Sequence, residues 1–151
     1  MSSNFTPRSG PQWPPEATAA AEAATDHAAT DHAAWPPIPG VDGRLPLRTL
    51  RGDTGRYVRL LQVFARHHAP DVEALRAMCA PGADLPALRR CLHGLKGSTA
   101  TVGATGLHEL AVAIDTRLHH GEPPAALAAE LLHLADELQR LIDAIGTLRS
   151  G

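Results

Sequence analysis

Lysine is almost missing from this chain: Lys96 stands alone, and the other 13 cationic residues are arginines. With 16 acidic residues the formal net charge is -2, so the basic stripe that nucleic-acid binding requires is not there. Aromatic residues are scarce too, 3% of the chain against 44% hydrophobic overall. The apolar content is mostly Ala and Leu. Those residues favour helices, whereas strands favour β-branched and aromatic side chains, so the composition points to an all-α fold. Cysteine occurs only as Cys79 and Cys91. They form no CxxC pair and no disulfide framework. Both fall at apolar helical positions, which predicts buried free thiols and a reducing compartment. No run approaches the roughly 18 apolar residues of a membrane span, and the opening MSSNFTPRSG lacks a basic-then-apolar signal pattern. The expectation is a soluble, cytoplasmic chain that touches neither membrane nor nucleic acid.

At 151 residues the chain favours one domain with a tail. Residues 1–37 are rich in Pro and Ala and contain TDHAA twice in succession from Thr25. Such a segment buries too little apolar surface to offset its ordering entropy, so it reads as a flexible linker preceding a domain at 38–151. Its His27 and His32 lie beside Asp26 and Asp31, but two histidines without a scaffold hold metal poorly. No metal site is expected.

The rest reads as helices. Leu45, Leu47 and Leu50 mark a short first one that Gly52 ends. Asp53 can cap a long second helix, with Tyr57, Leu60, Leu61 and Phe64 at helical spacing. Pro70 predicts a kink in it, and Pro81-Gly82 a turn after about Ala80. Asp84 can cap a third helix that Gly103 closes. A fourth runs from Thr105 to His119, before Gly121. Pro123 and Pro124 suit the first turn of a last helix carrying Leu127, Leu131, Leu134, Leu138 and Leu141. Long amphipathic helices with short connections predict an antiparallel four-helix bundle with a short additional N-terminal helix.

The third helix holds the candidate chemistry. At about 100° per residue, Leu88, Cys91, Leu92, Leu95, Thr99 and Val102 fall on one face, and His93 lies almost opposite. Arg89, Arg90, Lys96, Gly97 and Ala100 share the His93 side. Gly97 sits at i+4, one of the positions best able to crowd an exposed helical side chain. A mid-helix Gly costs about 1 kcal/mol relative to Ala; close approach by another protein is a reason to keep it. Lys96 at i+3 is a mobile cation able to reach an anion on His93, and Arg89 and Arg90 add positive potential suited to phosphate oxygens. An imidazole is substantially neutral and nucleophilic near pH 7. The other histidines of this part, His67, His68, His108, His119, His120 and His133, read as surface or helix-end residues.

The run from Cys91 to Leu107, CLHGLKGSTATVGATGL, resembles the signature of histidine-containing phosphotransfer (HPt) domains. His93, Leu95, Lys96, Gly97, Ser98, Gly103, Ala104 and Leu107 match it. Gly94, Thr99 and Thr101 depart from the residues most frequent there. The resemblance extends over about residues 38 to 149. It implies that His93 accepts a phosphoryl group on Nε2 and exchanges it with an aspartate of a response-regulator receiver domain, as an intermediate of a two-component phosphorelay. Lys96 would then assist electrostatically and Gly97 would give steric access. Arg89, Arg90, Gly94 and Ala100 would meet the partner, over the third helix and the adjoining fourth. The receiver would supply Mg²⁺, so the chain would need no cofactor and no nucleotide site of its own. The Pro/Ala linker favours the C-terminal module of a hybrid sensor histidine kinase over a free-standing shuttle.

Three rival readings are weaker. A kinase core would need a mixed α/β nucleotide domain for which the chain has no room, and GLKGST lacks the order of a phosphate-binding loop. A metal-binding bundle would need ligands converging inside it, where the faces are Leu and Ala. The alternative that stays closest is a non-phosphorylated helical protein-interaction adaptor.

Overall fold

The computed structural model describes residues 38–148. The linker expected at 1–37, with His27 and His32, lies outside the described residues. Among those described there are five α-helices, one 3₁₀ turn and no strand. Helix α1 spans Arg44–Thr49, α2 Thr54–Ala77, α3 Leu85–Val102, α4 Thr105–His119 and α5 Ala128–Gly146.

The helix boundaries follow local chemistry. The Asp53 carboxylate accepts from the Arg56 amide at 3.0 Å, and that of Asp84 from the Ala87 amide at 3.2 Å, each satisfying a donor that a helix start leaves open. Gly103 ends α3 with φ +82°, a conformation that L side chains resist. Pro70 does not break α2, which runs unbroken through it. The residue is exposed, so water can serve the backbone acceptor left without its usual donor. The helix stops at Ala77, three residues short of the expected end. The last helix also starts later than expected. Pro124–Leu127 form a 3₁₀ turn, with the Ala126 amide donating to the Pro123 carbonyl at 3.0 Å. This turn seats Leu127 in the core with no exposure before α5 begins.

Helices α2 to α5 form a ring: α2 packs mainly on α5 and also on α3, and α4 packs on α3 and α5. Short connections between successive helices make this the antiparallel bundle expected. Its centre is leucine. Leu61, Leu75, Leu88, Leu92, Leu95 and Leu138 have no exposure at all, and each such side chain contributes about 1.5–3 kcal/mol by leaving water. Helix α1 departs from its pattern: Pro46 and Leu47 are buried, but Leu45 is 65% exposed. A six-residue helix lying on the bundle has only one narrow face to hide.

The C-terminal end of α3 is pinned. The Asp42 amide donates to the Gly103 carbonyl at 2.7 Å. The Tyr57 hydroxyl, buried, donates to the Val102 carbonyl at 2.7 Å. A Cβ at Gly103 would come within 2.1 Å of the Asp42 carbonyl oxygen. Glycine there serves both the left-handed turn and the close approach of the segment preceding α1.

Candidate functional site

Leu92 and Leu95 are buried on α3, and their burial turns His93 outward into solvent. Gly94 and Gly97 are exposed beside it, and a Cβ on either would meet nothing within 4 Å. The chain's own packing therefore requires neither glycine. Their effect is to keep the surface low around the imidazole.

On one flank this low surface opens into a groove of about 480 Å³ between α3 and α2. His93, Gly94 and Gly97 line it from α3; Leu60, Val63 and Phe64 line it from α2. Val63 is 53% exposed, one of the few large apolar side chains left in solvent. The open ground beside His93 thus lies towards α2.

The other flank is polar. Lys96, expected as a mobile cation, already has a partner. Its Nζ donates to Oδ2 of Asp115 on α4 at 2.6 Å, with the lysine side chain 29% and the aspartate side chain 13% exposed. Arg89 also turns to α4, where its Nη2 donates to the Leu118 carbonyl at 3.4 Å. Arg90 and Ala100 are exposed on α3.

Two histidines assigned to the surface are elsewhere. His108 is half-buried in the α3–α4 seam, its Nδ1 donating to the Lys96 carbonyl at 3.0 Å. Thr99, buried next to it, donates back to the Leu95 carbonyl at 2.6 Å. His68 is 2% exposed because it occupies the α2 core stripe between Phe64 and Val72. Its Nδ1 stands 2.6 Å from the Asp71 carboxylate, and its Nε2 is buried without a hydrogen-bond partner. The Asp71 pairing at i+3 is a spacing visible in sequence; it is the signal that would have marked His68 as held rather than free.

Both cysteines are half-buried and free. Burial, then the nearby Asp71 carboxylate, pushes the Cys91 thiol up to about 12, and burial also raises that of Cys79. Both shifts disfavour the reactive thiolate. Among the described residues no cluster of three or more His, Cys, Asp or Glu side chains is arranged to hold a metal ion, and no helix is long and apolar enough to cross a membrane.

The site as a whole offers the solvent-facing imidazole of His93 with bare backbone beside it, an apolar groove on one side that exposed His67 of α2 also lines, and tethered cations on the other. That arrangement can receive a small, strongly anionic group carried in by a protein. A family model described as Hpt domain matches residues 59–146, more than half of the chain, taking in most of α2 and all of α3, α4 and α5. No curated protein and no solved structure matches it.

Proposed function

The chain belongs to the Hpt domain family, and from that premise we propose that His93 takes a phosphoryl group from an aspartyl phosphate of a response-regulator receiver domain and returns it to such an aspartate. Hpt domains are phosphotransfer modules of two-component signalling rather than enzymes. The observation that carries the assignment to His93 is its exposure beside two glycines, Gly94 and Gly97, whose Cβ positions are empty.

In the step, the Nε2 lone pair attacks phosphorus while Nδ1 keeps its proton. The N–P bond forms, the P–O bond to the aspartate breaks, and its electron pair leaves on the carboxylate. No oxidant, reductant or nucleotide enters the balance. The receiver brings Mg²⁺, and this chain contributes position and field, the main resources of phosphoryl transfer. Lys96 and Arg89 supply positive potential from the α4 side. The receiver approaches over Gly94 and Gly97, with Leu60, Val63 and Phe64 as apolar ground.

The test is a time course of labelled phosphate passing from a panel of phosphorylated receivers to the wild type and to His93→Gln. Acid-labile, alkali-stable label is expected on the wild type alone. Equal uptake by the variant moves the site off His93. No uptake from any receiver leaves the helical adaptor as the better reading.

A further inference from the structure

We propose that Asp115 is a positioning residue that acts through Lys96 to set how the phosphoryl group divides between His93 and the receiver aspartate. The inference rests on the reading of His93 given above.

Three observations support it. Lys96 stands one helical turn beyond His93, where side chains on a helix surface are neighbours. Its ammonium is already engaged by Asp115 at 2.6 Å. The Asp115 carboxylate is mostly shielded from water, set in α4 between Ile114 and Leu118 of the core and itself only 9% exposed. A carboxylate so placed loses much when its cation leaves. The other groups facing it do not replace Lys96. The Nδ1 of exposed His119 lies 3.6 Å from Oδ1 and already donates to the Asp115 carbonyl at 3.1 Å. Arg89 is turned to the Leu118 carbonyl.

A phosphoryl group arriving on His93 must therefore share Lys96 with Asp115. The two anions are coupled through one ammonium, and such coupling is reciprocal. Whatever Asp115 gains from Lys96 is withheld from the phosphoryl group. The carboxylate thereby keeps phospho-His93 from becoming so well stabilised that the group cannot pass on. Lysine is suited to this, because a flexible stem lets one compact charge move between two acceptors.

The experiment uses the full chain and a receiver shown to phosphorylate the wild type. The equilibrium ratio of phospho-His93 to phospho-receiver is measured for wild type, Asp115→Asn, Asp115→Glu, Lys96→Ala and Lys96→Ala/Asp115→Asn. Asp115→Asn is expected to raise the ratio about fivefold or more, the usual scale of coupling between two sites. Asp115→Glu should restore the wild-type ratio. In the Lys96→Ala background the Asn substitution should change nothing. An unchanged ratio in Asp115→Asn, with wild-type transfer intact, overturns this inference and leaves the phosphoacceptor reading standing. The same shift with and without Lys96 also overturns it, since Asp115 would then act on the phosphoryl group directly.

A second measurement needs no variant. Lys96 is the chain's one lysine, so ¹⁵N-lysine labelling gives a single side-chain ammonium signal. That signal should move when His93 is phosphorylated with phosphoramidate. An unmoved signal on protein carrying phospho-His93 contradicts the proposal; a chain that takes no phosphoryl group at all removes the premise and the proposal together.

Discussion

The run from His93 to Leu107 has two halves that behave oppositely. In the first, His93, Gly94 and Gly97 are exposed, and added side-chain atoms would meet open space. In the second, Gly103 is wedged against the Asp42 backbone, while Ala104 and Leu107 are 1% and 6% exposed. A small residue serves in both halves, for opposite reasons. Upstream it leaves the surface beside His93 open; downstream it leaves room for the chain itself. One contiguous motif therefore encodes an open surface and then the joint that holds its helix in place.

Substitutions can break this division. The largest effect is expected at His93. His93→Gln should abolish phosphate uptake in the transfer assay while changing stability by no more than about 0.5 kcal/mol, as for most surface changes. Gly103→Ala should do the reverse. It forces a non-glycine residue into a left-handed turn, at a cost of about 1–2 kcal/mol, and drives its methyl into a backbone carbonyl as well. A loss of at least ~2 kcal/mol in denaturant unfolding is expected, with transfer per folded molecule preserved. Equal stability of Gly103→Ala and wild type would mean that the Asp42 contact is not made in solution.

The same substitution at Gly97 sharpens the contrast. Gly97→Ala sits in an open helical position and should stabilise by roughly 0.5–1 kcal/mol. Gly97→Leu should keep that fold but slow transfer tenfold or more by occupying the ground beside the imidazole; an unslowed rate would place the receiver elsewhere. Lys96→Ala should give the smallest effect, a graded loss of a few-fold in transfer rate, because the ammonium acts by field and forms no bond to phosphorus.

Much of the bundle was legible in the sequence because its punctuation is local. Asp84, Gly103, Thr105 and Gly121 bound α3 and α4 where their chemistry predicts, and the Leu88–Leu92–Leu95 stripe shows which way His93 must face. What was not legible depends on partners from other helices. The Lys96–Asp115 pair spans 19 residues and two helices, and periodicity on one helix does not say which residue of the next it will meet. The groove escaped for the same reason, since half of its wall is α2. Hydropathy ranks histidine as polar and so places His68 on the surface. The residue follows the apolar i, i+4 spacing of Phe64 and Val72, with Asp71 one turn on. The helix after Pro123-Pro124 began late because the need to bury Leu127 overrode a good helix-start pattern.

The joint at the end of α3 also has an optical consequence. Tyr57 is the chain's only tyrosine, and both tryptophans, Trp13 and Trp35, precede the described residues. The phenol signal of the bundle therefore comes from one ring, and that ring is bonded to the Val102 carbonyl. Burial, then the Asp42 carboxylate, raises the Tyr57 phenol well above its ordinary range. The folded state thus holds this proton more tightly than the unfolded chain does. The stability this contributes is complete below the ordinary phenol range of about 10 and declines as the pH rises beyond it. Phenolate absorbance should appear together with loss of helical circular dichroism; phenolate forming first, in a fully helical protein, would show that the ring is not locked to α3.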